Sequence, residues 1–174
     1  MTWSVRRLNH RQFEAYHALR LEALRNHPEA YGTSAESFAA RPRQELEDFL
    51  SRRAVFGVMT DGDTLAGIVV YDRDEGERAS HRGWLLQVYV RPELRGTGAA
   101  LAMMEAAVEH ARSEVIQLHL MVGTYNRPAI RLYEKAGFTL YGTEPRSLCV
   151  NGRYIDEHLM VRFLDKAPIE SDTK

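Results

Sequence analysis

The sequence predicts a single-domain α/β protein on a mixed, mostly antiparallel sheet of about six to seven strands, with helices on both faces. Three observations predict it. The first fifty residues carry helical spacing and then give way to short β-like runs joined by a tight turn. The middle of the chain, from Trp84 to Val122, reads as strand, glycine loop, helix and strand. That unit is expected to be a right-handed parallel crossover. The last third holds two apolar runs flanking Asn151-Gly152, a strong hairpin signal.

Each element follows in order. Ser4–Leu8 is a short first strand. Residues 11 to 26 place Phe13, Tyr16, Leu19 and Ala23 at helical spacing, and Pro28 ends that helix. His27–Phe38 reads as a loop or a broken helix. Pro42 opens a second helix with Leu46, Phe49 and Leu50 on one face. Ala54–Thr60 and Thr64–Tyr71 are strands joined through Asp61-Gly62-Asp63. A charged loop covers Asp72–Arg82, and Trp84–Val90 is the next strand. Gly96 to Arg112 is helical, with Leu101, Met104, Val108 and Ala111 as its buried stripe. Ile116–Val122 alternates, with Ile116, Leu118, Leu120 and Val122 on one face. Arg127–Ala136 is a short helix with Asn126 as N-cap, Pro128 in its first turn and Gly137 as its left-handed end.

Bulk properties narrow the function. A chain of 174 residues, 44% hydrophobic and 27% charged, can bury a core without metal or disulfide support. We take residues 1–165 as the domain and 166–174 as a loose polar tail. A net charge of −1 lacks the basic excess that nucleic-acid binding calls for. The seven histidines are scattered, with no HExxH and no CxxC, so no metal is expected. Cys149 is alone and gives no sign of an oxidising compartment. No signal-peptide core and no membrane-spanning apolar run is visible, so a cytoplasmic protein is expected.

The informative stretch is Leu85–Leu101, LLQVYVRPELRGTGAAL. A helix N-terminus offers unpaired N–H groups and partial positive charge. Gly96 and Gly98 let a phosphate approach that backbone, and Arg95 adds charge at its mouth. A nucleotide P-loop is rejected, because Ala99 and Ala100 stand where lysine and Ser/Thr are required. A dinucleotide site is disfavoured, because Leu101 occupies the third glycine position of GxGxxG. Coenzyme A binding remains.

Two motifs carry a family resemblance. Arg95-Gly96-Thr97-Gly98-Ala99-Ala100 resembles the [R/Q]-x-x-G-x-[G/A] signature of the GNAT superfamily of acyl-CoA-dependent N-acyltransferases. Asn126 to Phe138, NRPAIRLYEKAGF, resembles its second signature, N-x-x-A-x-x-L-Y-x-x-x-G-F. Pro28–Gly32 and Tyr154–Glu157 are similar to stretches of a bacterial subgroup. The resemblance implies the GNAT fold and acetyl-CoA as co-substrate. It implies that backbone groups of Val88, Tyr89 and Val90 pair with the pantetheine arm. The N–H groups from Arg95 through Gly96, Thr97, Gly98 and Ala99 to Ala100 would hold the pyrophosphate. Asn126 would bond the pantetheine, and Tyr133 would donate a proton to the leaving thiolate. A homodimer is common in the family.

Energetics refine the Tyr133 role. A phenol pKa near 10 and a thiol pKa near 8.5 make full proton transfer uphill by roughly 2 kcal/mol. Tyr133 is therefore expected to act first as a hydrogen-bond donor to the developing thiolate. The amine side offers His81, Glu22, Glu144 and either Asp156 or Glu157 as base, since alternation turns only one of the last two to a given face. Tyr31, Phe38 and Tyr154 are candidate walls of the acceptor pocket. Cys149, in the apolar run SLCV, reads as an inert buried thiol, so direct transfer in a ternary complex is expected. The acceptor is expected to be a small amine, an amino acid or a peptide N-terminus. The alternatives are a protein lysine or N-terminal acetyltransferase, and a catalytically silent acyl-CoA-sensing module.

Overall fold

The computed structural model describes residues 2–165, so the expected polar tail at 166–174 lies outside the described residues. Seven strands form one sheet: β1 (Trp3–Arg7), β2 (Ala54–Thr60), β3 (Thr64–Arg73), β4 (Arg82–Val90), β5 (Gln117–Gly123), β6 (Thr139–Val150) and β7 (Arg153–Phe163). Their order is β1-β2-β3-β4-β5-β7-β6. Only β4 and β5 are parallel, and the other neighbours are antiparallel. The turns follow the residues that favour them. Asn151 and Gly152 both take positive φ, 50° and 76°, as the two-residue hairpin demands.

The helices are α1 (Phe13–Asn26), α2 (Ala35–Ala39), α3 (Arg43–Arg52), α4 (Ala99–Ala111) and α5 (Arg127–Lys135). They cover both faces, and the core is split accordingly. One layer packs α1, α2 and α3 on the sheet through Tyr16, Leu19, Phe38, Leu46, Ile68 and Tyr89. The other packs α4 and α5 through Leu85, Met103, Met104, Val108, Leu118 and Tyr133. The buried face of α1 includes the expected Phe13, Tyr16, Leu19 and Ala23, and also Arg20. Among the described residues, no helix is long and apolar enough to cross a membrane.

Several expectations change. The segment after α1 contains a 3₁₀ turn at Pro28–Ala30 and the short helix α2, capped by the Ser34 hydroxyl. Helix α4 starts at Ala99, not Gly96, because Gly96 and Gly98 are left-handed at φ 79° and 87°. Ile116 precedes β5 and is 46% exposed, whereas Leu118, Leu120 and Val122 are buried as expected. His119 is buried too, because helices or strands cover both faces there and alternation no longer separates wet from dry. Cys149 is exposed, not buried, since it lies on the outer part of the β6–β7 hairpin beside Tyr154.

Candidate active site

The site is built around a gap between two strands. β4 and β5 pair only through Arg82, Gly83 and Trp84 against Gln117, Leu118 and His119. Beyond Trp84 they separate, although β4 continues to Val90 and β5 to Gly123. A bulge accompanies the separation. On β3, Val69 alone lies between the pairs Val70↔Leu86 and Ile68↔Tyr89, while β4 uses Gln87 and Val88. Gln87 absorbs the extra residue at φ 56°, and its Oε1 accepts the Tyr16 hydroxyl at 2.9 Å. A bulge bends its strand and shifts the alternation of side chains. Leu85 faces the α4 layer, and after the bulge Val88 and Val90 do. Tyr89 instead pairs with Ile68, and the Arg91 N–H donates to Ala66. By the two-residue period, the backbone groups of Val88 and Val90 turn into the gap. Of the expected trio Val88, Tyr89 and Val90, Tyr89 stands opposite Ile68 of β3, and the Val88 carbonyl accepts the Tyr31 hydroxyl at 3.0 Å.

An anion cradle closes one end of the gap. After β4 the chain makes a 3₁₀ turn at Pro92–Leu94, and two left-handed glycines lead into α4. The Arg95 and Thr97 amides are used within the turn, donating to Pro92 and Leu94, and the Ala99 amide meets the Thr97 hydroxyl at 3.4 Å. Among the described residues, no backbone bond engages the amides of Gly96, Gly98, Ala100 and Leu101. A Cβ built on either glycine meets nothing within 4 Å, so space for a ligand lies in front of the backbone. Free amides at a helix N-terminus, open space and an exposed Arg95 fit a pyrophosphate. Gly98→Ala would pair a strained backbone with a methyl group in that space. We expect it to cost about 1 kcal/mol of stability and to raise the acetyl-CoA KM roughly tenfold. Thermal melts and initial rates across acetyl-CoA concentration check both.

Helix α5 lies across the gap from the cradle strand. Asn126 caps it through Oδ1, which accepts the Ala129 N–H at 3.2 Å, and its Nδ2 remains without a partner among the described residues. Tyr133, two turns on, is 6% exposed and packs in the α4 layer. Its hydroxyl makes no hydrogen bond among the described residues. Burial pushes its phenol well above the ordinary value, and the nearby Tyr31 adds to the push. Tyr133 is thus a poor acid and a permanent hydrogen-bond donor.

Beside the C-terminal end of β5 stand Tyr31, Tyr125, Glu29 and Glu157. The Tyr31 hydroxyl reaches Val88, and burial raises its pKa to about 12. Tyr125 lies over Gly123, where any side chain would collide with its ring. Burial, then the Glu29 and Glu157 carboxylates, push its pKa up to about 12. Glu157 stands opposite Gly123 in the β5–β7 ladder, is 8% exposed and accepts the Ser147 hydroxyl at 2.6 Å. Of the pair Asp156 and Glu157, alternation therefore turns Glu157 inward. Asp156 is exposed, and its carboxylate accepts the Arg146 N–H at 2.8 Å.

Glu144 stands opposite Glu157 in the β6–β7 ladder and so borders this group, while the other candidates stay apart from it. His81 sits at the entry to β4, its carbonyl bonded to the Ile116 N–H, at the paired end of β4 and β5 away from the gap. Tyr154 is 60% exposed under Arg146, and Glu144 is exposed on β6. Phe38 is core, packed on Tyr16 and His17. Glu22 is held by Arg91 in a two-pronged ion pair, 3.1 and 2.7 Å, and by the Tyr89 hydroxyl at 3.0 Å. Those bonds, Arg91 first, hold its carboxyl below the usual range, which makes it a weak base. The lowered pKa means the pair stabilises the fold above the ordinary carboxylate range and loses that effect as pH falls through it. Glu22→Gln is expected to lower Tm by about 2–4 °C at pH 7, and the gap should shrink progressively as pH falls below the ordinary carboxylate range. A Tm gap that stays the same size as pH falls from 7 through the carboxylate range would contradict this.

Sequence reading missed Tyr125 and Glu29 of the group, and Arg20 beside it. Arg20 was recognisable in principle as a charge on the buried stripe of α1, between Tyr16 and Ala23. Glu29 carried no local signal.

With this geometry in view, known proteins can be compared. Residues 14–138 match the model of the acetyltransferase (GNAT) family. The mycothiol acetyltransferase of Thermobispora bispora is 35% identical over 137 residues, covering 74% of this chain and 43% of that protein. The L-amino acid N-acetyltransferase AaaT of Escherichia coli K12 is 31% identical over 104 residues, covering 59% of this chain and 63% of that protein. The chain thus spans less than two thirds of the length of these relatives. In fold it superposes on yncA of Salmonella typhimurium, solved with its cofactor acetyl-CoA, at a TM-score of 0.82. That pair shares 18% identity over 97% of each chain. A family match across most of the chain, on a sheet that opens beside a glycine cradle, places the protein in the acetyltransferase (GNAT) family.

Proposed function

We propose that the protein is an N-acetyltransferase that moves the acetyl group of acetyl-CoA to the primary amine of a small molecule, by direct attack in a ternary complex. One observation carries the reading: the β4–β5 gap joins a cradle of free amides to an unpartnered tyrosine hydroxyl. The amides of Gly96, Gly98, Ala100 and Leu101, with Arg95 beside them, hold the pyrophosphate. The gap-facing groups of Val88 and Val90 and the Asn126 side-chain amide hold the pantetheine arm. Acetyl-CoA supplies an activated acyl group when bound.

The protein's own residues do the rest. Glu157 takes a proton from the acceptor ammonium, directly or through one water, so that a neutral nitrogen attacks. Tyr133 donates a hydrogen bond to the sulfur as the C–S bond breaks and charge develops there. Glu29 and Glu157 together attract the cationic acceptor. The names of the two relatives, for mycothiol and L-amino acid acetylation, support a small acceptor. Thiol release from acetyl-CoA across a panel of amino acids, polyamines and short peptides tests the reading. Amine-dependent release with an N-acetyl product supports it. Tight acetyl-CoA binding without release on any amine would favour a silent acyl-CoA module.

A further inference from the structure

Arg20 is 4% exposed, and its Nε and Nη1 have no hydrogen-bond partner among the described residues. A buried guanidinium in that state is costly, and an apolar side chain of similar size would serve stability better. Its surroundings offer little compensation. The guanidinium carbon stacks 4.3 Å over the Tyr31 ring, and beyond that cation–π attraction Tyr31 gives the group one hydrogen-bonding interaction, which leaves Nε and Nη1 open. The other groups that act on it are Tyr16, whose hydroxyl is already given to Gln87, and Arg41, which carries the same sign. No carboxylate of the chain is among them. Burial lowers the guanidinium pKa from its ordinary value, yet arginine stays protonated in proteins. The group is a cation with open donors and no anion.

Its position says which anion it awaits. Tyr31 carries Arg20 on its ring face and reaches the β4 gap with its hydroxyl. The carboxylates of Glu29 and Glu157 lie near Tyr125, and neither is among the groups that act on Arg20. We propose that Arg20 binds the carboxylate of the acceptor, and that the acceptor carries both an amine and a carboxylate, as amino acids do. The glutamates then face the amine end and Arg20 the acid end. A carboxylate takes one edge of the planar guanidinium, so it satisfies one of the two open nitrogens, which lie on different edges. This inference rests on the acetyl-transfer reading for its amine end only.

Amino acids and their decarboxylated amines form the test set, with the wild type and Arg20→Met. In wild type, kcat/KM for the best amino acid should exceed that of its decarboxylated counterpart roughly 100-fold. Arg20→Met should lose roughly that factor on the amino acid alone, leave the acetyl-CoA KM unchanged, and melt at a higher temperature than wild type. Arg20→Lys, which keeps the charge without the fork, should retain part of the preference. A preference for the decarboxylated amine overturns the proposal. So does an unchanged preference in Arg20→Met, or a lower Tm with all acceptors slowed alike, which marks a structural arginine. If no amine releases thiol, the acetyl-transfer reading fails separately. Calorimetry of amino acids against the coenzyme A complex then decides the arginine alone. Carboxylate-dependent binding lost in Arg20→Met supports it, and absence of binding by every amino acid refutes it.

Discussion

Tyr133→Phe is expected to lower kcat by about 10²-fold and to leave the acetyl-CoA KM unchanged. The hydroxyl has no partner among the described residues, so its removal orphans no other group and the ring keeps its packing. Tm should therefore stay within about 1–2 °C of wild type, which separates this result from misfolding. The raised pKa adds a second signature. Tyr133 stays protonated through the whole assay range, so the variant's pH profile should run parallel to wild type, only lower. An unchanged kcat, with the chemical step shown to limit turnover, would remove Tyr133 from the reaction.

Glu157→Gln should lower kcat/KM for the acceptor by about 10²–10³-fold near pH 7. Glutamine keeps the shape and can still accept the Ser147 hydroxyl, so the fold should persist. It cannot take a proton. The defect should then shrink as pH rises, because a free amine with a pKa near 8 to 10 loses its own proton in solvent. The acetyl-CoA KM should not move. A defect of constant size from pH 7 to 10 would assign Glu157 to acceptor binding rather than to proton removal. The expected order of the two effects follows from their jobs: Tyr133 acts on the leaving sulfur for any acceptor, while the Glu157 effect depends on how protonated the acceptor is.

What could be read from the sequence was local. Asn126 with Gly137 announces both ends of α5 from a few neighbouring residues, whereas Gly96 and Gly98 read as an anion loop whose left-handed backbone, which delays α4 to Ala99, did not show. The hairpin at Asn151-Gly152 is announced as locally as the ends of α5. The bulge at Gln87 did not announce itself, since Trp84–Val90 reads as an unbroken strand and its extra residue exists only against β3. The inward turn of Glu157 needed the pairing of β7 with β5, because alternation alone allows either neighbour. Tyr31 was read as a candidate pocket wall, and its bond to the Val88 carbonyl, which joins residues 57 apart, was not legible. Arg20 escaped because charged side chains usually face water, and here a charge occupies a core stripe. Ion-paired Glu22 shows the converse: a carboxylate on the right helix is disarmed by Arg91, a partner far along the chain.

The gap between β4 and β5 is the claim on which the rest depends. A crystal structure with acetyl-CoA bound tests it most directly. The account predicts the pyrophosphate on the amides of Gly96, Gly98, Ala100 and Leu101, and the pantetheine between β4 and β5. It also predicts the thioester sulfur within hydrogen-bonding reach of the Tyr133 hydroxyl. Acetyl-CoA bound outside the gap, or a sulfur facing away from Tyr133, would contradict it.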